Sequence, residues 1–292
     1  GGHMKWLIFG NKGWIGSMVS KILEQQGEQV VGAQSRADDE SAVEREISEI
    51  KPDRVMSFIG RTHGPGYSTI DYLEQSGKLV ENVKDNLYGP LCLAFICQKY
   101  NIHLTYLGTG CIFEGQNNFS ADEKGFTEND KPNFFGSSYS VVKGFTDRLM
   151  HFFDNDVLNL RIRMPITIEQ NPRSFITKIL SYSRICSIPN SMTILDQMIP
   201  VMIDMARNKT TGTFNFTNPG LVSHNEILSL IRDIHKPNLT WENMSREQQL
   251  AILKADRSNN LLNTDKLQSL YPDVPDILTG IREVVSKMKF QQ

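Results

Sequence analysis

The sequence is poor in cysteine and has no long hydrophobic run. Its four cysteines are Cys92, Cys97, Cys111 and Cys186. No two of them form a Cys-x-x-Cys pair, which excludes a zinc ribbon and a dithiol redox motif. Scattered thiols in a chain of 292 residues are typical of a reducing compartment, so we expect a cytoplasmic protein. No stretch reaches the roughly 18 apolar residues of a membrane-spanning helix, and neither a membrane segment nor a signal peptide is expected.

A surplus of basic charge is also missing. The 31 Lys and Arg residues nearly balance the 33 Asp and Glu residues, which leaves a formal net charge of −2. Without excess positive charge to neutralise phosphates, a nucleic-acid partner is not expected. Hydrophobic residues make up 39% of the chain, so it can bury a large core without a metal or disulfides, and no metal site is predicted. Residues 1–3 are interpreted as an expression remnant before Met4.

Short apolar runs alternate with amphipathic stretches through the first half of the chain. The pattern predicts strands over 5–9, 29–32, 54–59, 103–107 and 157–162, and helices over 15–26, 41–50, 72–98 and 134–153. Strands separated by helices indicate βαβ units with right-handed crossovers. The predicted fold class is therefore α/β, with a Rossmann-type doubly wound parallel sheet.

The texture changes after about residue 165, where short segments rich in Pro and Asn precede two further predicted helices, 223–234 and 275–288. We predict a dinucleotide-binding domain over 4–165 and a smaller substrate-binding lobe over 166–292, with some strand exchange back to the sheet. Ligands of open α/β sheets bind at the carboxyl ends of the strands. The substrate is therefore expected between that edge and the lobe.

A glycine loop follows the first predicted strand and opens the first predicted helix. It contains Gly10, Gly13, Trp14, Ile15 and Gly16. Glycines allow the tight turn and let the backbone approach a pyrophosphate, and the helix N-terminus favours negative charge. The spacing is G-x-x-G-x-x-G, and it predicts a dinucleotide site.

The residues after the second strand bear on the choice of cofactor. An acid that would bind a ribose 2′-hydroxyl is missing there until Asp38. Ser35 and Arg36 could instead bind a 2′-phosphate, although an ordinary solvated arginine is the alternative. We therefore predict NADPH as the cofactor and leave NADH as a second possibility.

Two pairs of residues carry the expected chemistry. Tyr139 and Lys143 are four residues apart on one predicted helix and share a face, so the ammonium can lower the phenol pKa and hold the nicotinamide ribose. Thr109 and Cys111 are two apart at the end of a predicted strand and project from one side of it. Thr109 can hydrogen-bond a substrate oxygen, and Cys111 would lie on the substrate unless it is simply a small buried residue.

Together these motifs resemble an extended short-chain dehydrogenase/reductase, and in particular the UDP-4-keto-6-deoxy-glucose 3,5-epimerase/4-reductases, which form the C-terminal half of plant rhamnose synthases. The resemblance covers nearly the whole chain. It is carried by residues 13–16, 108–114, 163–165, 171–173, 175–178, 188–193, 215–220, 223–227 and 257–260. More distant resemblances are to dTDP-4-keto-rhamnose reductase and GDP-fucose synthase.

The resemblance implies conversion of UDP-4-keto-6-deoxy-D-glucose to UDP-L-rhamnose. Cys111 and Lys178 would invert C3 and C5, whose protons are acidic beside the carbonyl, and Tyr139 would protonate the C4 oxygen after hydride transfer. The related 4,6-dehydratases carry an Asp-Glu pair where this chain has Gly110 and Cys111. A separate upstream dehydratase is therefore expected to supply the substrate.

Further contacts follow from the same resemblance. The substrate would contact Asn171, Arg173, Asn190, Arg257 and Asn259, and the cofactor would also contact Gly60, Arg61, Thr62 and Asn86. A homodimer is left open. The competing interpretations are a plain nucleotide-sugar 4-keto reductase, a GDP-sugar epimerase/reductase, and a non-catalytic NADP-binding regulatory subunit on the same fold.

Overall fold

The structure, a computed structural model, describes residues 3–115 and 124–291. Three pieces of the predicted organisation lie outside the described residues: Gly1 and Gly2 of the predicted remnant, residues 116–123 of the predicted dinucleotide-binding domain, and Gln292 of the predicted lobe. No helix in the described ranges is long and apolar enough to cross a membrane.

Six strands form one parallel sheet in the order β2-β1-β3-β4-β5-β7, and two short strands form a second parallel pair. The strands are β1 (Lys5–Phe9), β2 (Gln29–Gly32), β3 (Arg54–Ser57), β4 (His103–Thr109), β5 (Val157–Ile162), β6 (Arg184–Ile185), β7 (Gly212–Asn215) and β8 (Glu242–Asn243). The order reverses at β1, whose neighbours are β2 on one side and β3 on the other. Such a switch point leaves a crevice at the carboxyl ends of the strands.

Helices cover both faces of the sheet and build the lobe beside it. In the part of the chain that the structure describes they are α1 (Trp14–Gln25), α2 (Glu40–Ile50), α3 (Leu79–Val83), α4 (Gly89–Lys99), α5 (Ser138–Met150), α6 (Phe175–Ser181), α7 (Leu195–Arg207), α8 (His224–Ile234), α9 (Arg246–Ile252), α10 (Asp265–Leu270) and α11 (Ile277–Lys287).

Alternation along the strands divides the core into two layers. Trp6 and Ile8 of β1 pack with α1 and α7, whereas Leu7 and Phe9 point to the other face, toward α2 and α4. Successive strand residues face opposite ways, so a strand covered on both sides is apolar throughout. The apolar runs from which strands were predicted have this origin.

A third apolar cluster lies beside the sheet and is built mainly from α6, α8 and α11. However, α7 packs on the sheet and β7 completes its edge, although both follow residue 165. The chain therefore leaves the sheet, returns to it and leaves again. The boundary at residue 165 stays a prediction.

The predicted helix 72–98 is divided in the structure. A 3₁₀ turn over Ile70–Glu74 precedes α3, and a π-helical turn over Lys84–Tyr88 joins α3 to α4. Gln75 is extended and ends the first turn, Gly77 with a φ of +81° bends the chain before α3, and Pro90 has no N–H to continue the usual ladder into α4. Periodicity alone does not show either break. A π-helical turn is frequently found at a functional site.

A buried ion pair fixes α5 to the sheet. Asp147 accepts two hydrogen bonds from the Arg161 guanidinium of β5, at 2.9 and 2.8 Å, and a third from Asn159 at 3.0 Å. Both charged side chains are at least 96% buried. Because the arginine fork matches the carboxylate, the pair sets the position of the helix and not merely its distance from the sheet.

We expect Asp147→Asn to destabilise the chain, because it leaves the Arg161 charge buried without a counter-ion. The expected loss is about 3–5 kcal/mol in the free energy of unfolding, measured by urea denaturation. The matched control is Asp233→Asn, which breaks an ion pair with Arg232 at the surface and should change stability little. Equal effects of the two substitutions would contradict this role for the buried pair.

Candidate active site

A cleft of about 690 Å³ lies at the carboxyl ends of the central strands, between the sheet and the lobe. Segments that follow β1, β3, β4 and β5 line one side, together with the N-terminal part of α5. Residues of α6 and of the 257–259 segment line the other. The cleft is thus where the switch point of the sheet predicts a ligand.

The glycine loop forms one end of this cleft. Gly10 has a φ of +82°, which disfavours any residue with a side chain. A Cβ on Gly16 would lie 1.9 Å from the carbonyl oxygen of Gly10, so only glycine lets α1 approach the turn. Gly13, Trp14, Ile15 and Gly16 line the cleft as predicted, while Gly10 makes the turn behind them.

The N-terminus of α1 is open to an anion. Gly13 provides no side-chain cap, and the first turn contains no acidic residue. The helix dipole and the first amides therefore have no competing negative charge from their own helix. This arrangement suits the pyrophosphate of a dinucleotide.

Ser35 and Arg36 follow β2 but do not line the cleft. The Ser35 hydroxyl donates to Glu46 at 2.6 Å. The Arg36 side chain is 69% exposed and is paired with Asp38 and Asp85, at 2.9 and 3.3 Å. Both residues are thus already engaged by acids, and their part in cofactor binding stays a prediction.

Asn86 lies in the π-helical turn and is fully buried. Its side-chain oxygen accepts from the Arg61 N–H and its amide donates to the Arg61 carbonyl, both at 2.9 Å. This clamp fixes the loop after β3, so that Gly60 and Thr62 line the cleft. The Arg61 side chain turns away toward Glu81 and Asp85. Asn86 therefore shapes the cofactor side of the cleft through the backbone of Arg61.

The predicted reactive residues come together in the cleft. Thr109 is the last residue of β4 and Cys111 follows it, and the Thr109 side-chain oxygen accepts the Cys111 N–H at 3.0 Å. Ser140 of α5 donates to the Cys111 carbonyl at 2.7 Å, which joins the strand end to the helix that carries Tyr139. Cys111 is close enough to affect the pKa of Tyr139, of Lys143 and of Lys178. The sequence predicted these residues as two separate motifs and did not predict the hydrogen bonds that join them.

Lys143 is buried, and its ammonium donates to the hydroxyl of Tyr106 at 2.5 Å. Burial lowers the pKa of Lys143 to about 8, although Asp147 and Cys111 act in the opposite direction. Burial also raises the pKa of Tyr139, while a hydrogen bond with Thr109 lowers it in part. The predicted lowering of the Tyr139 pKa by Lys143 is therefore wrong for this geometry, because desolvation dominates and the ammonium faces Tyr106.

Lys178 projects into the cleft from α6. Burial lowers its pKa, and the positive charges of Arg173 and Arg257 add to that effect. Within residues 3–115 and 124–291, the side chains of Lys178 and Arg173 make no hydrogen bond or ion pair. An amine whose pKa is lowered and whose protons are uncommitted can exchange a proton with a ligand.

The predicted substrate residues divide into two groups. Arg173, Arg257 and Asn259 line the cleft, and Asp71 holds the Arg257 guanidinium at 3.3 Å. Asn171 instead accepts the Arg173 N–H in a turn before α6.

Asn190 also does not line the cleft, and its part as a substrate contact stays a prediction. It is fully buried, and its side chain bonds Arg163 and Asn259 at 2.9 Å each. It supports the substrate face from behind. The sequence around Asn190 does not show whether its side chain contacts a ligand or is buried within the protein, because a polar loop residue can do either.

Tyr106 and His63 are functional candidates that the sequence analysis missed. Tyr106 looks like an ordinary apolar strand residue, and only the fold shows that it faces Lys143, 37 residues away. His63 lines the cleft, and its pKa is lowered by burial and then by Arg173. The signal available for His63 was its position directly after Gly60, Arg61 and Thr62. No cluster of three or more His, Cys, Asp or Glu residues that could hold a metal occurs in the described ranges.

Comparison with known proteins gives the family. The family model of the RmlD substrate binding domain matches residues 4–141. The chain is 41% identical over 288 residues to the bifunctional dTDP-4-dehydrorhamnose 3,5-epimerase/dTDP-4-dehydrorhamnose reductase of Arabidopsis thaliana, covering 98% of this chain and 92% of that relative. The chain belongs to the dTDP-4-dehydrorhamnose reductase family. Membership of a nucleotide-sugar reductase family was predicted and is confirmed.

Other members of this reductase family extend beyond the present chain. It is 40% identical over 289 residues to a trifunctional UDP-glucose 4,6-dehydratase/UDP-4-keto-6-deoxy-D-glucose 3,5-epimerase/UDP-4-keto-L-rhamnose-reductase of Arabidopsis thaliana. That match covers 98% of this chain and 42% of the relative, so the chain spans less than half of the trifunctional protein.

Solved structures of the family agree with the observed fold. The chain superimposes with a TM-score of 0.78 and 16% identity on dTDP-4-dehydrorhamnose reductase from Bacillus anthracis str. Ames in complex with NADP, covering 98% of this chain and 99% of that one. The reductase from Yersinia enterocolitica gives a TM-score of 0.76 at 20% identity, with 98% and 100% covered. The prediction of a Rossmann-type α/β fold is confirmed.

The burial of Lys143 predicts a pH dependence of stability. Its pKa is about 8 in the folded chain, against an ordinary 10.5 for an unfolded lysine. Between these values the unfolded chain binds more protons, so Lys143 makes stability rise with pH across that window. Relative to Lys143→Met, the wild type should gain roughly 2–3 kcal/mol of unfolding free energy from pH 7 to pH 10. The control, Lys21→Met on the exposed side of α1, should run parallel to the wild type. Parallel curves for both variants would exclude a buried ammonium at Lys143.

Proposed function

We propose that this chain reduces the 4-keto group of a UDP-linked 6-deoxy sugar with NADPH, after inverting C3 and C5 in the same cleft. One observation carries the proposal. A single cleft joins the open N-terminus of α1 to Thr109, Cys111, Tyr139, Lys143 and Lys178. The relatives in Arabidopsis thaliana are named for the same pair of activities on dTDP- and UDP-linked sugars. The choice of UDP as the nucleotide rests on the sequence resemblance.

NADPH is the cofactor, and the residues present fit it. Residues 13–16 line the cleft at the glycine turn, and the first turn of α1 presents its dipole without an acidic side chain. The solved family member in complex with NADP supports the same choice. When bound, NADPH supplies the hydride for the sugar C4.

Tyr139 and Lys143 serve the reduction. A phenol with a raised pKa stays protonated near neutral pH, so Tyr139 can give its proton to the C4 oxygen as charge develops there. Thr109 lies beside it and can hydrogen-bond that oxygen. Lys143, whose pKa is about 8, can hold or return a proton near physiological pH. The three groups thus provide a donor, an orienting hydroxyl and a proton reserve.

Cys111 and Lys178 serve the inversions. The carbonyl at C4 makes the protons on C3 and C5 acidic, and each inversion needs one group to take a proton and another to return one on the opposite face. Lys178 enters from the lobe, while Cys111 comes from the sheet. Because one proton is removed and one is returned at each carbon, an inversion consumes no net proton. The two groups thus come from different parts of the fold, and the proposed inversions require them on opposite faces of the sugar ring.

The proposed reaction requires a 4-keto sugar from elsewhere. Where the related dehydratases carry an acidic pair after the threonine, this chain has Gly110 and Cys111. A 4,6-dehydratase activity must therefore act before it, on another chain or another part of a longer protein. A homodimer and a cytoplasmic location stay predictions.

Tyr139→Phe tests the reduction. The substitution removes the proton donor and keeps the ring, so kcat for NADPH oxidation with UDP-4-keto-6-deoxy-glucose should fall by roughly 10²–10⁴-fold. Binding of NADPH, followed by fluorescence, should persist. The control is Tyr182→Phe, a second tyrosine of the cleft, for which kcat should stay within about threefold. Near-normal turnover by Tyr139→Phe would remove Tyr139 from the reaction.

Cys111→Ala tests the inversions. In heavy water without NADPH, the wild type should incorporate deuterium at C3 and C5 of the 4-keto sugar, and Cys111→Ala and Lys178→Met should each lose that uptake. Mass spectrometry of the sugar measures it. The control is Cys186→Ala, which removes another thiol that lines the cleft and should leave the deuterium uptake as in the wild type.

Three results distinguish the interpretations. Tyr139→Phe should continue the exchange while hydride transfer fails. Full exchange by Cys111→Ala would exclude the thiol from proton transfer. If the wild type reduces the sugar without any deuterium uptake, the plain 4-keto reductase is the better function.

A further inference from the structure

An acidic side chain fills the loop after β2. Glu46 of α2 accepts the Gln34 N–H at 2.8 Å, and it accepts the N–H and the hydroxyl of Ser35 at 3.1 and 2.6 Å. Two successive backbone amides and one hydroxyl that converge on a single carboxylate form an anion-binding site. The anion that occupies this site belongs to the chain itself.

The loop that Glu46 contacts lies where the adenosine ribose of a dinucleotide is expected. β2 pairs with β1 beside the glycine loop, so its carboxyl end is where an α/β sheet receives the adenosine ribose of a dinucleotide. A phosphate on the ribose 2′-oxygen needs N–H and O–H donors in this place. The donors of Gln34 and Ser35 are the ones that Glu46 already holds.

The surrounding charges do not favour a phosphate strongly. Arg36 is paired with Asp38 and Asp85, and Arg61 lies against Asp85 and Glu81. Three carboxylates therefore pair with the two guanidinium groups, and Glu46 adds a fourth negative charge at the neighbouring Gln34 and Ser35 donors. A phosphate dianion entering here has to compete for its donors and also meets like charge.

We propose that Glu46 competes with the cofactor 2′-phosphate and limits the preference of this chain for NADPH over NADH. The 2′-phosphate has to displace the carboxylate. The 2′-hydroxyl of NADH can instead donate a hydrogen bond to that carboxylate. Glu46 thus opposes one cofactor and tolerates the other. The proposal rests on the dinucleotide site of the proposed function.

Two small nucleotides separate the contributions without any turnover. Calorimetry of the full chain with 2′,5′-ADP and with 5′-AMP compares adenosine ligands that differ in the 2′-phosphate. Glu46→Gln keeps the shape and one acceptor but removes the charge. We expect the affinity for 2′,5′-ADP to rise about tenfold, and that for 5′-AMP to stay unchanged or fall. The control is Glu49→Gln, one turn further along α2 and exposed, which should alter neither affinity.

Ser35→Ala sharpens the test. In the wild type its hydroxyl is committed to Glu46, so removing it should weaken 2′,5′-ADP less than the same change does in the Glu46→Gln background. If Glu46→Gln does not fold, Glu46→Asp draws the carboxylate back by one methylene and should give a smaller rise in the same direction.

The outcomes that overturn the inference differ from those that overturn the site. If a folded Glu46→Gln variant binds 2′,5′-ADP no better than the wild type, Glu46 merely shapes the loop and the inference fails, while the dinucleotide site stands. Equal gains for both nucleotides also overturn it, because the effect would not depend on the 2′-phosphate. If the wild type binds neither nucleotide, the dinucleotide site fails together with the inference.

Discussion

Charge burial beneath α5 is the constraint on which the site depends. Tyr139 and Lys143 are useful only if their helix sits in one place on the sheet, and Asp147 with Arg161 fixes that place through two short hydrogen bonds. Burial lowers the pKa of Lys143, and the Asp147 carboxylate acts in the opposite direction. A single acid therefore positions the helix and also moderates the cost of burying its lysine.

Polar contacts of the same kind extend toward the cofactor side. Asn86 clamps the backbone of Arg61 and also contacts Asn82, which in turn reaches Ser138 at the start of α5. Buried amides of this type leave few alternative arrangements, because each displaced partner would remain unsatisfied. The loop after β3 and α5 are thus held to one another and not only to the sheet.

Much of the fold and of the reactive set could be predicted from the sequence, since both follow from local periodicity. Strand alternation and the four-residue spacing of Tyr139 and Lys143 need only neighbouring residues. What could not be predicted depends on contacts between distant segments. α7 was missed because it contains Pro200, an unfavourable helix residue. Tyr106 was missed because its contact with Lys143 depends on which helix lies above its strand, and the burial of Asn190 was not predicted because it depends on the whole lobe.

The return of the chain to the sheet has a dynamic consequence. The segment after residue 165 leaves the sheet, comes back as α7 and β7, leaves again and returns once more as α10 before α11, so the lobe is joined to the sheet by five chain passages instead of one. A rigid-body hinge requires a few linking residues that can all rotate together. Five separated passages, together with a returning segment that adds β7 to the sheet, oppose such a rotation. A bulky ligand is therefore expected to enter by local movement of the cleft rim, with the two walls keeping their spacing during the reaction.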